Sequence, residues 1–252
     1  MTYDTLTSST ARYTAYDPWA WLYNQSLGPQ YCREKLPFLE KLLLPELEPA
    51  ARILDLCCGT GHLTQQLRAK GYQMVGLDGS EQMLHYARQN TPQAELITAD
   101  ARDFELPVPV DAVFSVSASL NHILSLAELS QVFANVYAAL QADGVFLFDL
   151  RLQGNYGNYP LTGGEVKEDY AWAVGEGYDA DSAMAFFKIT IFHRADRVWR
   201  RSDLTYQAKA YACTDVQTAL EQAGFRAVQI YDRAGDLTPP ADQQMVYFLA
   251  HK

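Results

Sequence analysis

The feature that most constrains this chain is an alternation of short apolar runs and amphipathic stretches between positions 51 and 150. The segments "ARILDL" (51–56), "YQMVGLD" (72–78), "AELITAD" (94–100), "DAVFSVSA" (111–118) and "GVFLFDL" (144–150) read as strands. Between them, "HLTQQLRAK", "SEQMLHYARQN" and "LAELSQVFANVYAAL" carry apolar residues at helical spacing; Gly71 closes the first and Ser80 is an N-cap for the second. Strands separated by helices of this length pair in parallel, because right-handed crossovers cover both faces of the sheet. The core is therefore predicted to be α/β.

The flanks follow other patterns. Residues 16–44 read as helical, with Leu36, Leu39, Leu43 and Leu44 at helical spacing and Pro45 ending the run. Beyond Asp149, "GNYGNYPLTGG" reads as a loop, and "EDYAWAVGE", "MAFFKITIFHR" and "VWRRSDLTYQAKAY" read as three antiparallel strands joined at "DADS" and "RADR". A helix, "TDVQTALEQAGF", and two strands, "RAVQIYD" and "QMVYFLAH", then return to the first pattern. The prediction is a Rossmann-like, doubly wound seven-stranded sheet with an inserted antiparallel β lobe and an N-terminal helical cap. Its parts are a cap at 1–36, the α/β core at 37–150, the lobe at 151–211 and the return to the core at 212–252.

Charge and cysteine usage narrow the function. A formal net charge of -10 repels polyanions, and the one basic run in sequence, at 194–201, is short, so no nucleic-acid partner is expected. No apolar stretch approaches the roughly 20 residues that span a bilayer, and "MTYDTLTSSTARYTAYDPW" has no basic region followed by an apolar core. The expectation is a cytoplasmic protein without a membrane partner. Cys32, Cys57, Cys58 and Cys213 form no CxxC pair or ligand cluster, so no metal is expected, and the neighbours Cys57 and Cys58 read as two small buried side chains.

In doubly wound sheets, ligands sit beyond the carboxyl ends of the strands. Gly59 and Gly61 occupy the turn after the first strand, where glycine allows positive φ and close approach of a ligand. Asp78 ends the second strand, 23 residues after Asp55, where an acidic side chain accepts from ribose hydroxyls. A nucleoside-bearing ligand follows. A dinucleotide is disfavoured, because the G-x-G-x-x-G pattern ends at Thr64 without its third glycine. A carboxylate such as Asp55 beside a phosphate costs about 4 kcal/mol at roughly 4 Å and an effective dielectric of about 20. A cationic amino-acid tail reverses that sign and favours a nucleoside carrying an ammonium and a sulfonium.

The blocks "ILDLCCGTG", "GLDGSEQML", "ITADARDFELPVPVDAVFSVSASLNHI" and "ADGVFLFDL" resemble, in order and spacing, the class I S-adenosylmethionine-dependent methyltransferases. The resemblance covers about residues 37–150 and the final helix and two strands, and departs from the family's G-x-G-x-G by placing Cys57 at the first glycine. It implies S-adenosylmethionine as cofactor, with the methionyl end against the backbone around Asp55, Cys57 and Gly59, and the ribose on Asp78; Gly61 and Gly79 belong to the same implied cofactor set. Met83 would pack beside the adenine, Asp100 and Ala101 would read its edge, and Arg102 and Ser117 complete the implied cofactor set. Competing readings make Met83 plain core, Asp100 a cap of the following turn and His62 structural.

"YDPWAWLYN" resembles the helix that closes over the cofactor in small-molecule members, which makes Tyr16 and Tyr23 candidate catalytic residues. "SASLNHI" offers Asn121 and His122 to orient the acceptor, with His122 able to take a proton from a hydroxyl. The implied reaction is methylation of a small-molecule acceptor, with N-methylation placed ahead of O-methylation. The lobe aromatics Tyr156, Tyr170, Trp172, Tyr178, Phe187, Trp199 and Tyr206 would wall an acceptor pocket or form a homodimer face. The alternatives are a catalytically silent S-adenosylmethionine-binding protein and a NAD-dependent oxidoreductase.

Overall fold

The computed structural model describes residues 16–237 and 245–252. The stretch 1–15, on which the expectation of no leader rests, and 238–244, which holds the first residue of the last expected strand, lie outside the described residues.

The described chain begins as one unbroken helical run. A 3-10 turn (Asp17–Trp19) leads into α1 (Ala20–Leu22), a π turn (Tyr23–Leu27) and α2 (Gly28–Phe38), then a second π turn (Leu39–Leu43) and a closing 3-10 turn, Leu44–Glu46. Pro45 sits at the start of that last turn, where its missing N–H leaves no bond unmade. The expected cap boundary at 36/37 therefore falls inside α2. At Gly28 a Cβ would stand 2.9 Å from His62 Nδ1, from Thr60 Oγ1 and from the Tyr23 carbonyl, so only glycine lets the run lie this close to the glycine turn.

The core follows in chain order as β1 (Arg52–Leu56), α3 (His62–Ala69), β2 (Gln73–Asp78), α4 (Glu81–Asn90), β3 (Glu95–Thr98), β4 (Val110–Ser115), α5 (Leu126–Ala139) and β5 (Leu140–Arg151). The inserted lobe comprises β6 (Tyr159–Val166), β7 (Tyr170–Asp179), β8 (Met184–Ala195) and β9 (Val198–Lys209); α6 (Cys213–Gln222), β10 (Arg226–Tyr231) and β11 (Met245–His251) complete the core. The large sheet has the order β10-β11-β5-β4-β1-β2-β3, with β11 antiparallel to both neighbours and the pairs among β1 to β5 parallel.

Alternate residues of each central strand bury against opposite helix layers. Leu54, Leu56 and Phe148 meet Phe133 of α5 and Leu220 of α6, whereas Ile53, Phe114 and Leu147 meet Leu39, Leu43 and Leu67. Covering both faces is what makes these strands read as continuous apolar runs. Winding turns back between the adjacent strands β1 and β4, so the crevice beyond their carboxyl ends is where such a sheet takes a ligand.

The lobe is a separate sheet of four strands, order β6-β7-β8-β9, which corrects the expectation of three. The stretch expected as loop supplies β6. Its Pro160 is tolerated because β6 is an edge strand, and Gly163 and Gly164 pair with Val174 and Ala173 after a register shift. The turn at "RADR" is a two-residue hairpin with positive φ at both Asp196 and Arg197, which matches the strand twist. The inner face of the lobe closes on the cap, where Tyr170, Ile189 and Ile191 bury with Trp19, Leu22 and Leu27. All four cysteines are free. Among the described residues no acid, histidine or cysteine group could hold a metal, and no helix is long and apolar enough to cross a membrane.

Candidate active site

The site grows from the turn after β1. Cys57, Gly59 and Gly61 all have positive φ, and the turn stays attached to β2 through Cys58 N–H donating to Leu77 O at 3.0 Å. Gly59 N–H donates to Asp78 Oδ2 at 2.8 Å, and Ser80 N–H donates to Oδ1 at 2.9 Å. Ser80 also caps α4, accepting from Met83 N–H, while its hydroxyl donates to Asp17 Oδ1 of the cap at 2.6 Å. Asp78 is thus aimed by two backbone amides. Burial raises its pKa to about 6 despite those bonds. Asp55, buried at the end of β1, accepts from Thr64 Oγ1 at 2.6 Å, and burial raises it to about 7.

Between the glycine turn and the cap lies a cavity of about 140 Å³. The core contributes Gly59, Asp78, Gly79, Met83, Ala99 and Ala101; the loop after β4 contributes Ser117, Ser119 and His122; Tyr16, Trp19, Tyr23 and Tyr31 descend from the cap, and Tyr206 from the lobe. A recess of about 40 Å³ runs on past Cys57 and Ser117 to Asp55, Thr60 and His62. A third space, a groove of about 630 Å³ between cap and lobe, holds Arg151, Glu165 and Glu176 and shares Tyr31 and Tyr206 with the cavity.

Most of the residues singled out in the sequence converge here. The Tyr16 ring stacks on Trp19 with centroids 5.9 Å apart and meets His122 edge-on at 5.5 Å. Tyr23 meets Trp19 edge-on at 6.0 Å. Burial pushes both tyrosine hydroxyls up, so they stay protonated. His122 Nδ1 lies 2.8 Å from the Gln207 carbonyl; since a carbonyl only accepts, Nδ1 carries the proton and Nε2 keeps its lone pair. Burial lowers the His122 pKa and keeps the ring neutral. His62 pairs with Thr60 Oγ1 at 2.9 Å.

Three of the expected site residues are engaged by other parts of the chain. Asn121, expected to orient an acceptor, is buried with its polar atoms bound to backbone: Nδ2 donates to the carbonyls of Arg151 and Lys209, and Oδ1 accepts from Arg151 N–H. It stitches the lobe to the core. Asp100 accepts from Arg102 N–H at 2.9 Å and pairs with the Arg102 guanidinium, which also reaches Glu128 at 2.7 Å; Ala99 and Ala101 form the cavity wall on either side. The turn-cap reading of Asp100 is the one the geometry carries. Gly61 faces α4, where a Cβ would come within 3.1 Å of Ala87 Cβ.

Of the seven lobe aromatics, Tyr206 reaches the cavity, Tyr170 and Trp172 pack on the cap, Tyr156, Tyr178 and Phe187 form a further cluster, and Trp199 is exposed. The sequence reading overlooked Trp19 and Tyr31 as lining residues. Their signal is the stripe Trp19, Tyr23, Leu27, Tyr31, at intervals of four along one helical face.

The donors and acceptors fit a nucleoside with a cationic tail. Asp78 has lone pairs left for ribose hydroxyls, Met83 and Ala101 offer an apolar berth for a base, and Asp55 supplies negative charge deep in the recess. The buried Tyr16 hydroxyl lines the cavity with no hydrogen-bond partner among the described residues, a position a bound ligand would fill. A buried carboxylate in the recess and a half-buried one in the adjoining cavity suit a cation and repel a pyrophosphate.

Comparison with known proteins agrees. Residues 53–144 match the family model described as a methyltransferase domain. Trans-aconitate 2-methyltransferase of an Acidovorax species is 30% identical over 185 residues, covering 72% of this chain and 70% of that protein. A dTDP-3-amino-3,6-dideoxy-alpha-D-glucopyranose N,N-dimethyltransferase of Streptomyces fradiae is 34% identical over 128 residues, 51% of this chain and 50% of its own. The crystal structure of an S-adenosylmethionine-dependent methyltransferase from Clostridium acetobutylicum superposes with a TM-score of 0.79 at 20% identity, covering 94% of this chain and 98% of that one, and so shares the fold. On the family model, the relatives and the shared fold, this chain is an enzyme of the class I S-adenosylmethionine-dependent methyltransferases, with S-adenosylmethionine as its cofactor.

Proposed function

We propose that the enzyme methylates a nitrogen of a small polar acceptor that enters from the groove between cap and lobe. One observation carries this reading: Tyr31 and Tyr206 line both the cofactor cavity and that groove, so the two spaces meet at these rings. The groove's lining supports a preference of charge. Its one cation among the described residues, Arg151, is held bidentate by Glu176 at 2.9 and 3.2 Å and lies over the Tyr156 ring at 4.0 Å, while Glu165 adds a second carboxylate. A carboxylate or phosphate acceptor would find no free cation, whereas an amine meets a slightly negative, aromatic-walled space. This favours an acceptor like that of the amino-sugar relative over that of the trans-aconitate enzyme.

When bound, S-adenosylmethionine supplies an electrophilic methyl group on a cationic sulfur. Asp78 holds the ribose, Met83 and Ala101 the adenine, and Asp55 with the backbone at Cys57 and Gly59 faces the methionyl end. Ser117 and Gly79 close the sides. Tyr16 and Tyr23 act as neutral donors and aromatic walls that align the acceptor, since alignment of nucleophile and methyl group is the main demand of an in-line displacement. An acceptor that arrives as an ammonium must lose a proton before its lone pair can attack, and a neutral amine sheds one after transfer; the His122 Nε2 lone pair would receive that proton.

The test is transfer of a labelled methyl group to a panel of amino sugars, simple amines, phenols and polycarboxylates, beside calorimetry with S-adenosylhomocysteine. Label appearing on amines supports the reading. Label only on carboxylates or phenols would overturn the nitrogen assignment, and cofactor binding without transfer to any of them would favour a silent binding protein.

A further inference from the structure

A buried ion pair stands behind the site without lining it. Asp149, near the end of β5, is fully buried; its Oδ2 accepts from Lys35 Nζ at 2.7 Å and from Ser117 N–H at 3.0 Å, and its Oδ1 accepts from Ala118 N–H at 2.6 Å. Lys35, on α2, is 6% exposed, and its ammonium has three partners for three protons: Asp149, the Tyr247 hydroxyl at 3.0 Å and Met245 Sδ at 3.3 Å. Burial, the largest single influence, lowers the Lys35 pKa, and the Asp149 carboxylate and the Tyr247 hydroxyl together outweigh it, so the net shift is upward.

Such a pair is a poor device for stability, because well-packed apolar residues of the same volume do as well. Its geometry shows another use. Ser117 and Ala118 are consecutive non-glycine residues in left-handed backbone, at φ 68° and 58°, a conformation that persists only when its surroundings impose it. Both amides end on Asp149. Ala118 then starts the short 3-10 turn Ser119–His122, and Ser117, Ser119 and His122 all enter the cavity. Lys35 lies one turn beyond Tyr31, which lines the same cavity from the other side.

We propose that Lys35 and Asp149 are positioning residues that hold the 117–122 loop in the shape the methyl-transfer site requires and couple that shape to the cap helix. The inference rests on the reading of this cavity as the transfer site. The carboxylate gathers the two amides, and the ammonium fixes the carboxylate to α2, so the cap and the His122 loop move together.

The test uses the full chain with Lys35→Met and Asp149→Asn, with Tyr247→Phe as a mild variant that removes one acceptor from Lys35. Two readouts report the loop directly: hydrogen exchange of a peptide spanning 116–122, and the His122 imidazole proton resonance. That resonance is displaced by the rings of Tyr16 and Tyr206, whose centroids lie 5.5 and 5.1 Å away, and is assigned by its loss in His122→Ala. In Lys35→Met and Asp149→Asn, exchange at 116–122 should rise by about tenfold or more while peptides of β1 and β2 stay unchanged. The His122 resonance should move toward that of a free imidazole, and S-adenosylhomocysteine affinity should stay within about fivefold. Tyr247→Phe should move both readouts the same way by less.

Folded Lys35→Met or Asp149→Asn protein with both readouts unchanged would overturn the proposal. If those variants do not fold, Tyr247→Phe decides, and no movement of its two readouts overturns the proposal equally. Normal methyl transfer by His122→Ala would instead remove the role given to His122, leaving the loop coupling to be judged on its own readouts.

Discussion

The Gly59 amide and the Asp78 Oδ2 atom stand 2.8 Å apart, joining the turn after β1 to the end of β2. The carboxylate organises the turn and also presents its remaining lone pairs to the cavity. Asp78→Ala therefore removes a ribose acceptor and leaves two amides unpaired. Calorimetry should show S-adenosylhomocysteine binding weakened by about 100-fold or more, with Asp78→Asn intermediate because one oxygen is kept. Unchanged affinity in Asp78→Ala would end the ribose assignment.

Asp55 and Asp78, raised to about 7 and about 6, predict opposite pH trends for the empty and the bound protein. A carboxyl whose pKa is higher folded than unfolded contributes stability that is full below the unfolded value, near 4, and lost as pH rises through 6 to 7. A cationic ligand requires the ionised forms. Ligand-free stability attributable to these two groups should thus fall between pH 4.5 and 7.5, while affinity for S-adenosylmethionine should rise about 100-fold between pH 5.5 and 7.5 with release of protons. Titrations in two buffers of different ionisation enthalpy measure that release. Proton uptake would contradict the charge assignment.

Tyr16→Phe separates function from stability. Because the hydroxyl has no partner among the described residues, its loss should change unfolding free energy by less than about 1 kcal/mol, and in the stabilising direction. Turnover should drop by about tenfold or more if the hydroxyl aligns the acceptor. Chemical denaturation beside labelled methyl transfer checks both, and full turnover would reduce Tyr16 to an aromatic wall.

Asn121→Ala should do the reverse. Three backbone groups lose their partner in a buried place, so unfolding free energy should fall by roughly 2–4 kcal/mol. The folded fraction should still bind S-adenosylhomocysteine within about threefold of wild type. A stable variant that binds cofactor and fails in transfer would restore Asn121 to the acceptor site.

The fold was legible because its strongest signals are local. The apolar runs through Leu54, Val75, Val113 and Phe146, separated by helices, announce a parallel sheet, and Ser80 opens α4 as an N-cap should. Edge strand β6 was hidden because Tyr159–Val166 carries a proline and two glycines, residues that only an unpaired edge and a register shift accommodate. The role of Asn121 was equally hidden, whereas the turn cap was one of the two readings open for Asp100. Residue type advertises a polar group, and only the fold reveals that Arg151 and Lys209 or Arg102 already occupy it. The Lys35–Asp149 pair spans 114 positions, beyond any local pattern.

The two chain crossings between core and lobe lie side by side. Leu152 bridges Tyr211, and the Asn121 amide nitrogen donates to the carbonyls of both backbones. An insertion whose ends leave the parent fold at one point imposes almost no chain-closure entropy on it, whatever its length. The lobe is in effect a cassette, open to lengthening or shortening at its outer hairpins while Tyr170, Ile189 and Ile191 keep the cap covered. Acceptor preference is thereby free to diversify at a single graft point, with Asn121 as the rivet that any replacement must keep.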